Sequence, residues 1–97
     1  MILYIAGKMN GLTDRGKPHF REAAQRLRKN GHIVLNPAVL PVGLYGASYM
    51  PICMAMIDAA EAVYALDNWK DSPGATIEVG YAKYQGKEIF YEKDGTP

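Results

Sequence analysis

Apolar residues fall along the chain in four short runs, separated by three stretches that read as helices. Residues 2–6, Ile-Leu-Tyr-Ile-Ala, form the first run and stop at Gly7. A continuous apolar run of this length predicts a buried strand. A helix is predicted over about residues 18–30, opened by Pro18. In it Phe20, Ala23, Ala24 and Leu27 recur at i, i+3, i+4 and i+7, which puts them on one inward stripe. Asn30-Gly31 is a C-cap signal. Residues 32–35 predict a second strand, ended by Asn36-Pro37 because proline cannot continue a ladder. Residues 38–47 hold Pro41, Gly43 and Gly46 and read as a loop, with Tyr45 and Tyr49 as candidate pocket walls. Ser48 is a candidate cap for a second helix that takes Pro51 in its first turn. The centre of that helix, Ile52-Cys53-Met54-Ala55-Met56-Ile57, is apolar almost all the way round, a pattern that calls for burial on more than one side. A third strand over 62–66, a third helix over about 73–85 and a fourth strand over 88–91 complete the pattern.

Strand and helix alternate with short connections. With right-handed crossovers this predicts an α/β fold, a doubly wound four-stranded parallel sheet with three helices, flavodoxin- or Rossmann-like. The expected strand order is 2-1-3-4, in one domain over residues 1–97. Ligands of such sheets bind at the carboxyl ends of the strands where the order reverses, here between strands one and three. The loops 7–11 and 67–74 meet at that point. Gly7, Asn10, Gly11, Asp67, Trp69, Ser72 and Gly74 are therefore the candidate ligand-binding residues. The glycine-flanked loop 7–11 lacks the endings of a P-loop or dinucleotide fingerprint, so it is generic by itself. Trp69 either stacks on a planar ligand or covers the edge of the core.

Composition narrows the function classes. A net charge of +1 supplies no bulk field for nucleic acid or a membrane surface. Cys53 is the sole cysteine, which rules out an internal disulfide and fits a reducing, cytoplasmic setting. No His/Cys cluster has metal-ligand spacing, so neither a metal nor another cofactor is expected. The first apolar run is too short for a signal peptide or a membrane span. Arg21, Arg26, Arg28 and Lys29 read as a solvated basic face, while Lys17 and His19 lie nearer the loop end, where an anion would approach. The tail from Glu92 to Pro97 is expected to fray. The apolar second helix and the open sheet edges predict a homo-oligomer packed through residues 52–57.

The most informative chemistry lies in residues 71–82, Asp-Ser-Pro-Gly-Ala-Thr-Ile-Glu-Val-Gly-Tyr-Ala. Ser72 can cap the third helix and Pro73 suits its first turn. The free N–H groups and the helix dipole favour an anion here. Glu78 follows about one turn inside, near enough for the dipole to favour its ionised form. It is either a nucleophile beside a phosphate or sugar site, or a simple complement to the dipole. Tyr4 on the first strand reaches Glu78 if it points to the third-helix face.

Tyr4-Ile5-Ala6-Gly7, Asn36-Pro37 and the run from Ser72 to Ala82 together resemble the nucleoside 2-deoxyribosyltransferase-like superfamily. More narrowly, the chain resembles a small family of unknown function, frequent in phages and prophages, within it. The resemblance covers nearly the whole chain, and the serine-to-glutamate stretch is its most specific part. It implies a glutamate nucleophile that attacks the anomeric carbon of a nucleoside or nucleotide and forms a sugar ester as the base leaves. Water or a second base then resolves the ester. By motif position the nucleophile is Glu78 and the tyrosine that orients it is Tyr4. Ser72 corresponds to a phosphate-contacting serine of the branch that hydrolyses nucleoside monophosphates, where the transferases carry aspartate.

One departure from the superfamily pattern bears on activity. Its usual aspartate on the second helix corresponds here to Cys53, and a thiol cannot do a carboxylic acid's proton work at the base. Asp67 or Asp71 is left as the donor to the leaving base. The apolar pattern of this chain also predicts neither a fifth strand nor its helix, so any residue that a partner subunit supplies from there is expected to be missing. A non-catalytic module that senses or sequesters a nucleotide is thus the alternative to a hydrolase or transferase.

Overall fold

The computed structural model describes residues 1–44 and 46–97. Strands β1 (Ile2–Ala6), β2 (Ile33–Leu35), β3 (Ala62–Ala65) and β4 (Glu88–Tyr91) alternate with helices α1 (Lys17–Lys29), α2 (Gly46–Ala59) and α3 (Pro73–Tyr84). All described pairings are parallel, in the order β2-β1-β3-β4. This is the doubly wound four-stranded sheet expected from the alternation.

Strand alternation divides the core between the two sheet faces. Leu3 and Ile5 of β1 pack with Phe20, Ala23, Ala24 and Leu27, the α1 stripe read from the sequence. Tyr4 and Ala6 point the other way, among Cys53 and Ile57 of α2 and Ala75, Val79 and Ala82 of α3. The side of β1 on which Tyr4 lies therefore decides its access to α3. It is the side that the sequence pattern required but could not fix.

Local structure departs from the sequence expectations at three places. Helix α2 starts at Gly46, ahead of Ser48, so Pro51 lies inside the helix rather than in its first turn. A 3-10 turn over Pro37–Val39 occupies part of the expected loop, with the Asn36 side chain accepting from the Ala38 N–H at 2.9 Å. Tyr45, expected beside the pocket, lies outside the described residues. The tail is not frayed at its start, where Glu92–Asp94 forms a 3-10 turn. Glu92 anchors it: the carboxylate accepts from the Asp67 N–H at 2.9 Å and pairs with His19 and Arg26, each at 2.8 Å. Burial alone would push its pKa up, but these partners hold it below the ordinary carboxylate value. His19, a candidate for an anionic ligand, is thus bound to the tail instead. No helix among the described residues is long and apolar enough to cross a membrane.

Candidate functional site

A cavity of about 200 Å³ opens at the carboxyl end of β1, between the loop after β1 and the facing ends of α2 and α3. Gly7 and Asn10 form one wall, and Ser72, Gly74 and Glu78 the opposite one. The backbone reasons are local. Ser72 is the N-cap of α3, accepting from the Ala75 N–H at 3.1 Å, and Pro73 takes the first helical position. With its oxygen already accepting, the Ser72 hydroxyl is free to donate into the cavity. A Cβ on Gly74 would have nothing closer than 3.9 Å, so this end of α3 is open to a ligand. Gly7 is different: a Cβ there would come within 2.6 Å of the side chain of Leu66, the residue after β3, so core packing already favours glycine. The loop after β1 is held to the loop after β3 by the Lys8 N–H, which donates to Asn68 Oδ1 at 3.1 Å.

Glu78 lies on the cavity wall and is only 7% exposed. Burial pushes its pKa up from 4.5 to about 7, partly offset by Tyr4 and Cys53 beside it. The dipole near Glu78 favours its ionised form, as the sequence suggests, but burial sets the net direction. Desolvation outweighs a dipole that acts over the first turn only. Tyr4 is fully buried beneath Glu78, and its hydroxyl has no hydrogen-bond partner among the described residues. Burial, reinforced by the Glu78 and Cys53 charges, holds Tyr4 protonated. Cys53 lies on the same wall, and burial pushes its thiol up to about 11. Three protonatable groups from β1, α2 and α3 thus converge, and Glu78 is the one that titrates near neutrality.

The structure does not bring all the predicted residues together. Asp67 and Trp69 line a neighbouring recess, and Gly11 is not part of the cavity wall. Trp69 is partly buried against the α3-side core and its remaining surface lines that recess, so the position is compatible with both of its alternatives. Conversely, Arg15, Tyr49 and Met50 line the cavity. Tyr49 was a candidate; Arg15 was not. Arg15 sits in the left-handed region at φ 56, between turn residues Asp14 and Gly16, with its guanidinium 5.9 Å from the Tyr49 ring centroid. The turn triplet Asp14-Arg15-Gly16 was its only sequence signal. Among the described residues no group of three His, Cys, Asp or Glu is placed to hold a metal.

Solved structures resemble this fold, among them two 2-deoxyribosyltransferases. The 2-deoxyribosyltransferase of the psychrotolerant bacterium Bacillus psychrosaccharolyticus aligns with a TM-score of 0.73 and 25% identity, covering 94% of this chain and 71% of that one. The 2-deoxyribosyltransferase of Leishmania mexicana aligns with a TM-score of 0.72 and 22% identity, covering 93% of this chain and 62% of that one. No curated protein matches the sequence. Residues 1–91 match one family over most of the chain, and the protein belongs to that family, described as a domain of unknown function, DUF4406.

Proposed function

We propose that this protein cleaves or transfers the N-glycosidic bond of a nucleoside or nucleotide, with Glu78 as the nucleophile. The observation that carries the reading is Glu78 itself. It is a nearly buried carboxylate facing a cavity at a helix N-terminus, beside a tyrosine hydroxyl with no hydrogen-bond partner among the described residues. In the reaction a Glu78 oxygen bonds to the anomeric carbon while the bond to the base breaks. The electron pair leaves with the base, which takes up a proton from solvent water, since no second carboxylic acid lines the cavity among the described residues. Water then attacks the anomeric carbon, releasing the sugar and regenerating the carboxylate; a second base in place of water gives transfer. Tyr4, protonated and buried beside Glu78, makes no hydrogen bond to it here, and its free hydroxyl is available to donate to the carboxylate and orient it once Glu78 is ionised.

Ser72 and Arg15 favour a phosphorylated substrate. The hydroxyl at the α3 N-terminus and an arginine across the cavity are suited to a 5′-phosphate. The likeness to two 2-deoxyribosyltransferases favours a deoxynucleoside substrate, and the superfamily resemblance, with Ser72 where the transferases carry aspartate, favours hydrolysis of its monophosphate. A phage or prophage source and a cytoplasmic location belong to the same reading. Incubation with a panel of nucleosides and 5′-monophosphates, followed by chromatography for free base, tests it. Release of base from at least one deoxynucleotide is expected. Arg15→Ala is expected to weaken the monophosphate at least about tenfold in KM and to leave the free nucleoside unchanged. Equal effects on both would remove the phosphate role.

Cys53 favours a second reading, a module that binds a nucleotide without turning it over. The thiol stays protonated at neutral pH and is a poor acid for the leaving base. Cys53→Asp distinguishes the two: a faster release of base supports an enzyme limited by its missing acid. A ligand that binds to wild type, with no base released by either form, supports the binding module.

The chain is proposed to form a homodimer at least, through the outward side of α2. Ile52 is exposed there, although Cys53 and Ile57 on the inner side are buried. Light scattering at micromolar concentration is expected to give the mass of a dimer or more; a monomer sinks this proposal.

A further inference from the structure

A second recess, of about 390 Å³, lies at the carboxyl ends of β3 and β4. It takes Trp69 and Lys70 from the 3-10 turn Trp69–Asp71, whose next residue, Ser72, belongs to the first cavity. Lys83 of α3, Tyr91 and Lys93 also line it, and Asp67 is the acidic residue on its wall. The activity proposed above uses none of these groups.

Their arrangement has a definite chemical character. The rings of Trp69 and Tyr91 are 6.1 Å apart at 39°, forming a tilted aromatic ledge. Lys70 Nζ lies 5.7 Å from the Trp69 centroid, and Lys93 Nζ lies 5.9 Å from that of Tyr91. Each ammonium is thus held at the ledge by a ring face. None of the three lysines forms an ion pair among the described residues, where the acidic residue of the tail turn, Glu92, is taken by His19 and Arg26. Three cations against one carboxylate leave the recess with a local excess of positive charge in a chain whose net charge is only +1. Unpaired ammoniums beside partly buried rings match a ligand that carries several phosphates and a planar base.

We propose that this recess is a second binding site, separate from the candidate active site, for a nucleoside triphosphate. Its phosphates lie on Lys70, Lys83 and Lys93 and its base lies against Trp69 and Tyr91. The recess and the cavity share one short segment of backbone, since the Ser72 N–H donates to the Trp69 carbonyl at 3.2 Å. The proposal does not depend on the nature of the reaction at Glu78.

Trp69 is the sole tryptophan, so its fluorescence reports on this recess directly. Titration of the full chain with ATP is expected to give a saturable change in that fluorescence. Adenosine or inorganic tripolyphosphate alone is expected to bind at least about tenfold more weakly, since each satisfies half of the recess. Lys70→Glu with Lys93→Glu, both at exposed positions, is expected to raise the Kd for ATP at least about tenfold with an unchanged circular dichroism spectrum. Arg15→Ala, in the other cavity, is expected to leave the titration as it is. No fluorescence change and no heat in calorimetry would overturn the proposal. So would a signal lost in Arg15→Ala but kept in the lysine variant, or ATP binding no tighter than tripolyphosphate. Tighter binding of oligothymidylate than of ATP would reassign the recess to single-stranded nucleic acid and overturn it as well.

Discussion

Glu78→Gln is expected to abolish base release and, above neutral pH, to make the protein more stable. The first effect follows from the proposed role. An amide cannot form the sugar ester, so kcat should fall by about three orders of magnitude or more while ligand binding changes little. In the wild type, base release should rise with pH through about 7, as Glu78 loses its proton and becomes the nucleophile. The second effect follows from burial. The folded-state pKa of Glu78 lies above its unfolded value, so the folded chain holds a proton that the unfolded chain releases between pH 4.5 and about 7. Stability therefore falls as pH rises through that window, by on the order of 3 kcal/mol once Glu78 is fully ionised. Glutamine carries no such cost. The variant should match wild type closely at pH 5 and exceed it at pH 8, with a gain in Tm on the order of 10 °C. Calorimetric scans at both pH values check this. Equal melting at pH 8 would contradict a buried carboxylate, and undiminished base release would contradict the nucleophile.

Gly16→Ala is expected to lose about 2–4 kcal/mol of stability and to disturb the wall that carries Arg15. Gly16 precedes α1 with φ 71, a conformation unfavourable for a side chain. A Cβ there would also come within 2.5 Å of the Lys8 carbonyl oxygen, which is backbone and cannot swing aside. Its N–H is held by Asp14 Oδ1 at 2.8 Å, and the neighbouring Arg15 is itself left-handed, so the turn has little room to relax. Gly11 provides the control. It has φ 83 but no atom within 4 Å of a built Cβ, so Gly11→Ala should cost only the conformational part, about 1 kcal/mol. Urea titration of both variants separates the two terms. If Gly16→Ala costs no more than Gly11→Ala, the contact with Lys8 is not what requires glycine.

The sequence by itself determined the element order, the sheet and the core stripe of α1. These follow from local periodicity and from the right-handedness of parallel crossovers, which leave few alternatives. It also determined the Ser72 cap, because a cap depends on residues within one turn of each other. Residues 71–82 pointed to Glu78 for the same reason. Only the tertiary structure decided what surrounds that carboxylate. Burial beside Tyr4 of β1 and Cys53 of α2 moves its pKa towards neutrality, and desolvation depends on distant residues rather than neighbours in the chain. The structure also separated residues that sequence proximity had grouped: Ser72 and Gly74 face the cavity, whereas Asp67 and Trp69 face the second recess. A 3-10 turn between them redirects the chain, and no periodic signal announces so short an element. Arg15 was hidden for a related reason. Its place on the wall is set by two consecutive left-handed residues, and only the contact of Gly16 with Lys8 shows how closely that turn is packed.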